Sequence, residues 1–163
     1  MAEKINAPES SSVGRLFDAA AALTGVRSIA SFEGQGPMEF EALCENTDAY
    51  IELELERNER LWLSNWHRLV PAMLDTTQSV GERASLFHNS LAHAILRQAK
   101  TIREMHDVNI VTFSGGVFQN RVLSERAMAL LSDDGFKVHH PELIPVNDAG
   151  ISFGQVMEHG FNQ

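Results

Sequence analysis

Apolar positions recur along the chain with two periods, one typical of helices and one typical of strands. From Val13 to about Thr24 they recur three and four residues apart, and Gly25 follows as a helix stop. A second helical pattern begins at the capping-box sequence Ser79-Val-Gly-Glu82 and extends to about Met105. Shorter patterns predict helices over residues 38–45, 65–74 and 151–158.

Strand patterns separate these helices. Residues 49–56 alternate strictly, which predicts a strand with one solvent-exposed face, and Leu61–Leu63 fits as its hairpin partner. The unbroken apolar run Ile110–Phe113 predicts a strand that is buried on both faces. Phe136–His139 predicts a further short strand. Because strands and helices alternate along the chain, the sequence predicts an α/β fold.

The stretch IVTFSGGVFQNRVL, residues 110–123, joins a predicted strand to a predicted helix through a glycine pair. Gly115 and Gly116 follow the strand, and the helical pattern resumes at Val117. Such a turn presents backbone N–H groups and the positive end of a helix dipole to an anion, and two glycines leave room for a phosphate. The Lys and Ser/Thr of a Walker loop do not follow. A phosphate site and ordinary loop geometry are both open interpretations.

Three other features allow a structural and a functional interpretation. Gly34-Gln-Gly36-Pro37 fits either a helix entry or a second wall of a ligand site. Asp148 precedes the last helix, where it fits an N-cap or a group aimed at a metal or phosphate in front of the glycine pair. Asp18 lies beside the apolar face of the first helix, and an exposed carboxylate is the plainer interpretation there.

Histidine and cysteine spacing gives no metal-binding motif. His88 and His93 are five residues apart, so a helix would point them in different directions. We therefore interpret His88 as a hydrogen-bonded packing residue rather than a catalytic one. Cys44 is the single cysteine, and we interpret it as a buried structural residue.

Composition narrows the classes of function. The 163 residues are the size of one domain, and we expect a flexible lead-in over residues 1–9 and a single domain over 10–163. The formal net charge of −9 argues against a broad nucleic-acid or anionic-membrane surface. The sequence has no apolar run long enough to span a bilayer, and residues 1–9 lack the apolar core of a signal peptide. We expect a cytoplasmic protein.

Several stretches together resemble the C-terminal carbamoyltransferase domain of the hydrogenase maturation protein HypF. The resemblance implies one lobe of the actin/Hsp70/sugar-kinase-like (ASKHA) fold, shared with TsaD-like tRNA threonylcarbamoyl-transferases, with a mixed sheet, flanking helices and a nucleotide between two lobes. Because the matching motifs begin where the second lobe begins, it implies the second lobe only. The stretches are SSSVGRLFDAAAALTGV (Ser10–Val26), FEGQGPMEFEAL (Phe32–Leu43), FHNSLAHAI (Phe87–Ile95), FSGGVFQNRVL (Phe113–Leu123) and IPVNDAGISFGQ (Ile144–Gln155).

The resemblance also implies a site for ATP or a carbamoyl-adenylate and a divalent metal ion, iron or magnesium. Asp148 would be a ligand of the metal. The paired-histidine metal motif of the first lobe has no counterpart in this sequence, so the ligand set is incomplete and we expect the isolated chain to be inactive. The implied nucleotide contacts are Asp18 and Gly36 beside the nucleoside, Gly115 and Gly116 at the phosphates, and Asn120 as a hydrogen-bonding partner.

By the same resemblance, the whole enzyme forms a carbamoyl-adenylate from carbamoyl phosphate and ATP. It then transfers the carbamoyl group to the C-terminal cysteine of a HypE-like acceptor in [NiFe]-hydrogenase maturation. The expected partners are that acceptor and the missing first lobe or upstream HypF domains, and no nucleic acid or membrane is expected. The alternative is a non-catalytic truncated or split homologue that acts as a protein-interaction or homodimerisation module.

Overall fold

The computed structural model describes residues 10–59 and 61–162, so the predicted lead-in over residues 1–9 lies outside the described residues. In these residues helices alternate with short strands, which confirms the α/β class. The helices are α1 (Val13–Leu23), α2 (Gln35–Ala42), α3 (Leu69–Leu74), α4 (Val80–His106), α5 (Arg121–Asp133) and α6 (Ile151–Phe161). The strands are β1 (Leu55–Asn58), β2 (Leu61–Ser64), β3 (Ile110–Thr112) and β4 (Lys137–His139).

The strands of the described residues form two separate pairs, so the mixed sheet expected from the resemblance is absent from this part of the chain. β1 and β2 form the predicted antiparallel hairpin, with Leu55 opposite Ser64. β3 and β4 are parallel, with Val111 opposite Val138, and α5 connects them. Parallel strands need such a crossover because the end of the first strand and the start of the second lie at opposite ends of the strand pair.

The core of the protein forms around the first half of α4. Phe87 packs edge-to-face against Phe17 of α1 and Phe40 of α2, with ring centroids 5.0 and 5.7 Å apart. The predicted capping box begins the helix: the Ser79 hydroxyl accepts from the Glu82 N–H at 3.0 Å, and the Glu82 carboxylate accepts from the Ser79 N–H at 2.7 Å. Both orphan donors are satisfied, so the start of α4 is fixed at the position that the sequence indicates.

Residues 49–54, the first part of a predicted strand, have no sheet partner. Asn89 of α4 donates to the carbonyls of Thr47 and Ala49 at 2.8 and 2.9 Å, and the Ile51 N–H donates to Ser90 Oγ at 2.9 Å. Side chains of α4 thus replace hydrogen bonds that a neighbouring strand would make. Alternation predicted correctly that Leu53 is buried, but it does not show which element supplies the hydrogen bonds.

The starts of α2 and α3 differ from the prediction. α2 begins at Gln35 rather than Met38, which places Pro37 in its first turn. α3 begins at Leu69 rather than Asn65, because the Asn65 side chain accepts from the His67 N–H at 3.0 Å and forms a turn there. Pro71 then falls in the first turn of α3, where no backbone N–H is needed, and does not kink the helix.

The far end of α4 is held to the end of α5 by charged groups. Lys100 Nζ lies 2.7 Å from Asp134 Oδ2, and the Arg103 guanidinium binds the other carboxylate oxygen. These two cations hold the pKa of the Asp134 carboxyl below its ordinary value. The Arg103 guanidinium also lies 4.0 Å from the centroid of the Phe136 ring. These contacts position β4 beside β3 and so support the glycine turn that follows β3.

None of the helices described has the length and apolar character needed to cross a membrane.

Candidate functional site

The strand that precedes the glycine pair is not buried on both faces, so that prediction was wrong. Ile110 is 56 % exposed, while Val111 is partly buried and Phe113 is buried. β3 has one neighbour strand, and a run of apolar residues does not show whether a second layer of protein covers its other face. The glycine turn therefore follows a strand with one exposed face.

The glycine turn is joined to the loop that precedes α6. Gly115 has a φ of 109°, a conformation that side chains rarely allow, and its N–H donates to the Val146 carbonyl at 2.8 Å. A Cβ built on Gly116 would lie 3.8 Å from Asn147 Cβ. The structure thus places the loop that carries Asp148 beside the glycine pair.

Beyond the turn, the chain forms a short 3-10 segment, Gly116–Gln119, and α5 begins only at Arg121. The helix predicted from Val117 therefore begins four residues later. Asn120 is its N-cap, and the Asn120 side-chain oxygen accepts from the Leu123 N–H at 2.8 Å. Asparagine is a preferred N-cap, which explains why α5 begins where it does.

The first four backbone N–H groups of α5 all have acceptors within the protein. Glu41 of α2 accepts two of them through its Oε1 atom, at 2.7 and 3.0 Å. Asn120 accepts the other two with its side-chain and backbone oxygens, at 2.8 and 3.0 Å. A carboxylate of the protein already occupies the place where a helix N-terminus binds an anion. The start of α5 is therefore not available to a phosphate. The glycine turn before it is the remaining segment whose backbone a phosphate could contact.

His88 of α4 contacts Asn120 from inside the core. His88 is 0 % exposed, its Nδ1 lies 2.7 Å from the Ala84 carbonyl oxygen, and its Nε2 lies 2.9 Å from Asn120 Nδ2. Burial lowers the pKa of His88 to about 4, so the ring is neutral at pH 7. The prediction of a hydrogen-bonded packing residue is confirmed.

Cys44 completes the surroundings of this ring. Its sulfur lies 3.3 Å from His88 Nδ1, and burial raises the pKa of the thiol to about 11. The group is therefore a neutral thiol at pH 7, which agrees with the structural role predicted for it.

Asp18 and Gly36 differ in accessibility. Asp18 is exposed on α1, directly after Phe17, whose ring centroid is 5.0 Å from that of His88. Gly36 is buried, and a Cβ there would lie 3.2 Å from Ala21 Cβ. Gly36 thus permits close packing of α2 on α1. Its contact with a nucleoside remains a prediction.

Asp148 lies beside the glycine turn and is exposed. The interpretation of Asp148 as the N-cap of the last helix was wrong, because Gly150 is the N-cap of α6. Asp148 lies in the short 3-10 turn before it, whose N-cap is Asn147, with a side chain that accepts from the Ala149 N–H at 3.1 Å. No group of three His, Cys, Asp or Glu residues suited to a metal occurs within residues 10–59 and 61–162. As a hard oxygen donor, Asp148 fits a divalent cation only as one ligand of a set completed elsewhere.

Two features of this region were not predicted from the sequence. Glu41 caps a helix that begins 80 residues later, a separation at which no local pattern could connect them. The contact between His88 and Asn120 spans 32 residues. A buried histidine four residues after Ala84 was predictable as hydrogen-bonded to its own helix, but its second partner was not.

Comparison with known proteins identifies similar sequences and structures. The family model described as "Carbamoyltransferase, Kae1-like Domain, second subdomain" matches residues 1–155. Carbamoyltransferase HypF of Synechocystis sp. is 34% identical over 154 residues, which cover 93% of this chain and 20% of that protein. Carbamoyltransferase HypF of Rhodobacter capsulatus is 35% identical over 161 residues, with coverages of 96% and 20%.

Two solved structures have the same arrangement of elements. A crystal structure of full-length HypF in the phosphate- and nucleotide-bound form matches with a TM-score of 0.83 at 37% identity, covering 89% of this chain and 20% of that one. The crystal structure of T. kodakarensis HypF matches with a TM-score of 0.79 at 26% identity, covering 92% and 20%. The chain thus spans about a fifth of the length of these relatives.

Proposed function

The chain belongs to the HypF carbamoyltransferase family, as the second subdomain of its Kae1-like domain, and on that premise we propose that it is the nucleotide-binding C-terminal lobe of a HypF-type carbamoyltransferase. The lobe would be half of an ASKHA fold, with the first lobe supplied by another part of the protein. One observation carries the proposal: the glycine turn, which leads into Asn120, is joined to the loop of Asp148 by the 2.8 Å hydrogen bond from Gly115 to Val146.

The candidate residues have the chemistry that a nucleotide requires. The turn at Gly115 and Gly116 carries no Cβ, so a phosphate can approach the main chain closely. Asn120 is partly exposed and retains one amide hydrogen and one carbonyl lone pair after its two internal hydrogen bonds. The exposed Asp18 carboxylate suits ribose hydroxyls. A related HypF, 37% identical, was crystallised with phosphate and nucleotide bound, which supports the same ligand class here.

A divalent cation fits the proposal as a ligand shared between lobes. Asp148 would supply one oxygen, and groups outside the described residues would supply the others. When bound, such a cation supplies Lewis-acid stabilisation of charge on phosphate oxygens. The part played by this chain is to place the carboxylate beside the glycine turn.

In the proposed reaction the bound ligand is a carbamoyl-adenylate, and the acceptor is the C-terminal cysteine thiolate of a HypE-like protein. A C–S bond forms to the carbamoyl carbon while the C–O bond to the adenylate phosphate breaks, so that AMP leaves. Cys44 does not take the place of the acceptor, because it is partly buried against His88 and its pKa of about 11 keeps it protonated. This lobe therefore holds the adenylate and does not supply the nucleophile.

Calorimetric titration of the chain with ATP and ADP in the presence of Mg²⁺ tests the nucleotide site. We expect binding by the parent chain and its loss in Asn120→Ala, since that substitution removes the exposed amide. Ser79→Ala is the matched control, because it removes the N-cap of α4 instead of that of α5. Equal binding by Asn120→Ala and the parent, or no binding by the parent, would contradict a site preformed in this lobe.

A second candidate function is that of a protein-interaction module, and α6 favours it. None of the 11 residues of this helix is buried, although it carries apolar side chains such as Val156 and Phe161. In the whole protein we propose that this face packs against the remaining HypF domains. In a non-catalytic homologue it would pack against a second copy of the chain. The oligomeric state in solution distinguishes packing within a larger protein from homodimerisation.

A further inference from the structure

The buried ring of His88 contacts two partly exposed side chains, Cys44 at Nδ1 and Asn120 at Nε2, and of these Asn120 is the proposed ligand contact. The binding of a nucleotide by Asn120 does not by itself require a histidine behind it. We propose that His88 is a positioning residue, which holds the Asn120 side-chain amide in the one orientation that serves a bound nucleotide. The inference rests on the proposed function in naming the ligand, while the orientation of the amide is testable without a ligand.

The surroundings of His88 select one tautomer of its ring. Nδ1 lies 2.7 Å from the carbonyl oxygen of Ala84, which can only accept a hydrogen bond, so Nδ1 must carry the proton. The ring is neutral because it is enclosed by the aromatic rings of Phe17 and Phe40, at centroid distances of 5.0 and 5.7 Å. Nε2 is therefore an acceptor with one lone pair.

That acceptor determines which way the Asn120 amide faces. Its Nδ2 lies 2.9 Å from His88 Nε2 and donates to it, while its Oδ1 accepts from the Leu123 N–H at 2.8 Å. The opposite orientation would place two acceptors at the ring and two donors at the helix end. Neither contact would then be a hydrogen bond, so the amide is held in the observed orientation by two partners at once.

Holding the amide leaves a defined pair of groups for a ligand. One Nδ2 hydrogen and one Oδ1 lone pair remain, which together form a donor–acceptor pair on a partly exposed side chain. Because His88 lies in the buried half of α4 and Leu123 is also buried, both partners of the amide are anchored in the core. A side chain that is already oriented loses less conformational entropy when it binds.

Two substitutions of His88 separate its positioning role from its packing role. His88→Gln retains an acceptor oxygen near the position of Nε2, whereas His88→Asn retains a donor near Nδ1 and loses the acceptor. We expect His88→Asn to weaken ATP binding by about tenfold, or about 1.4 kcal/mol, because the Asn120 amide loses its hydrogen-bond acceptor, and His88→Gln to remain within about threefold of the parent. Thermal unfolding of each variant confirms that it is folded. Equal nucleotide affinities of His88→Asn and the parent would overturn the proposal.

Nitrogen-15 NMR of the ligand-free chain provides the readout that packing alone would not change. We expect a protonated Nδ1 and an unprotonated Nε2 in His88, with one Asn120 amide proton coupled to Nε2. A ring protonated at Nε2, or an Asn120 amide with two equivalent rotamers, would overturn the orientation. If the parent binds no nucleotide while the NMR result is as expected, a nucleotide site preformed in this lobe is ruled out and the orientation of Asn120 by His88 stands.

Discussion

At the scale of single residues, the protonation of His88 makes the free energy of unfolding depend on pH. The pKa of His88 is about 4 in the folded protein because of burial, whereas an unfolded histidine titrates near 6.5. Between these pH values the unfolded chain binds a proton that the folded chain does not. The contribution of His88 to the free energy of unfolding is therefore complete above about pH 6.5 and is lost as the pH falls toward 4.

We therefore expect the free energy of unfolding to fall by up to about 3 kcal/mol from this residue between pH 7 and pH 4, at about 1.4 kcal/mol per pKa unit. Urea denaturation at several pH values measures it. The His88→Gln variant is the comparison, because it keeps all other titrating groups. A parent and a variant whose stabilities change in parallel with pH would show that His88 is not neutral and buried in solution.

Glycine is required at one position inside α4 for a reason that helix propensity does not include. A Cβ on Gly81 would lie 2.7 Å from the Leu43 carbonyl oxygen and 2.2 Å from Glu45 Oε1. We expect Gly81→Ala to lower the free energy of unfolding by roughly 1–3 kcal/mol through overpacking. Gly14 of α1 is the control, since its nearest neighbour is Ser12 Oγ at 3.7 Å, and Gly14→Ala should be neutral or stabilising by up to about 1 kcal/mol. Urea denaturation measures both changes in the free energy of unfolding. Changes of the same sign in Gly81→Ala and Gly14→Ala would contradict this explanation.

At the scale of elements, Glu41 connects α2 to the start of α5. Its Oε1 accepts from the N–H groups of Arg121 and Val122, and an anion at a helix N-terminus is stabilising. We expect Glu41→Ala to lower the free energy of unfolding by about 1–2 kcal/mol, and Glu41→Gln by about half of that because its amide oxygen still accepts.

Salt dependence distinguishes the charge of Glu41 from its hydrogen bonds. The difference between Glu41→Gln and the parent should shrink in high salt, since salt screens the interaction with the helix dipole. Glu33→Gln serves as the control, because it changes the net charge equally at an exposed position of the loop before α2. Equal effects of the two substitutions would mean that Glu41 does not cap α5.

At the scale of the whole molecule, α6 presents apolar surface that nothing in the described residues covers. Phe153, Val156 and Met157 recur three and four residues apart, so they lie on one face of α6, and they are 48 %, 70 % and 41 % exposed. Apolar surface that is contiguous on a helix favours association. We expect the isolated chain to self-associate as its concentration rises, as measured by light scattering, and Val156→Asp to reduce this association.

Ile29→Asp is the matched control for that experiment. Ile29 is as exposed as the residues of α6 but lies in the loop between α1 and α2, so its substitution should leave the association unchanged. A chain that stays monomeric at all concentrations would remove the interaction-module alternative and leave α6 to pack within a larger protein.

Much of the local structure could be predicted from the sequence because local chemistry determines it. The capping box at Ser79 determines where α4 begins, and the apolar spacing around Phe17 determines which face of α1 is buried. The glycine pair and the Asp148 loop were identified as candidate site elements from their residue types alone, and the family resemblance has been confirmed. Whether Asp18, Gly36, Asn120 and Asp148 hold ligands remains a prediction.

Only the tertiary structure determined how these pieces meet. Glu41 caps α5 from 80 residues away, His88 orients Asn120 across 32 residues, and β3 proves to have an exposed face. The physical reason is the same in each case. Periodicity and capping residues report interactions within a few positions of the chain, whereas hydrogen-bond partners and burial depend on which distant segments the fold brings into contact.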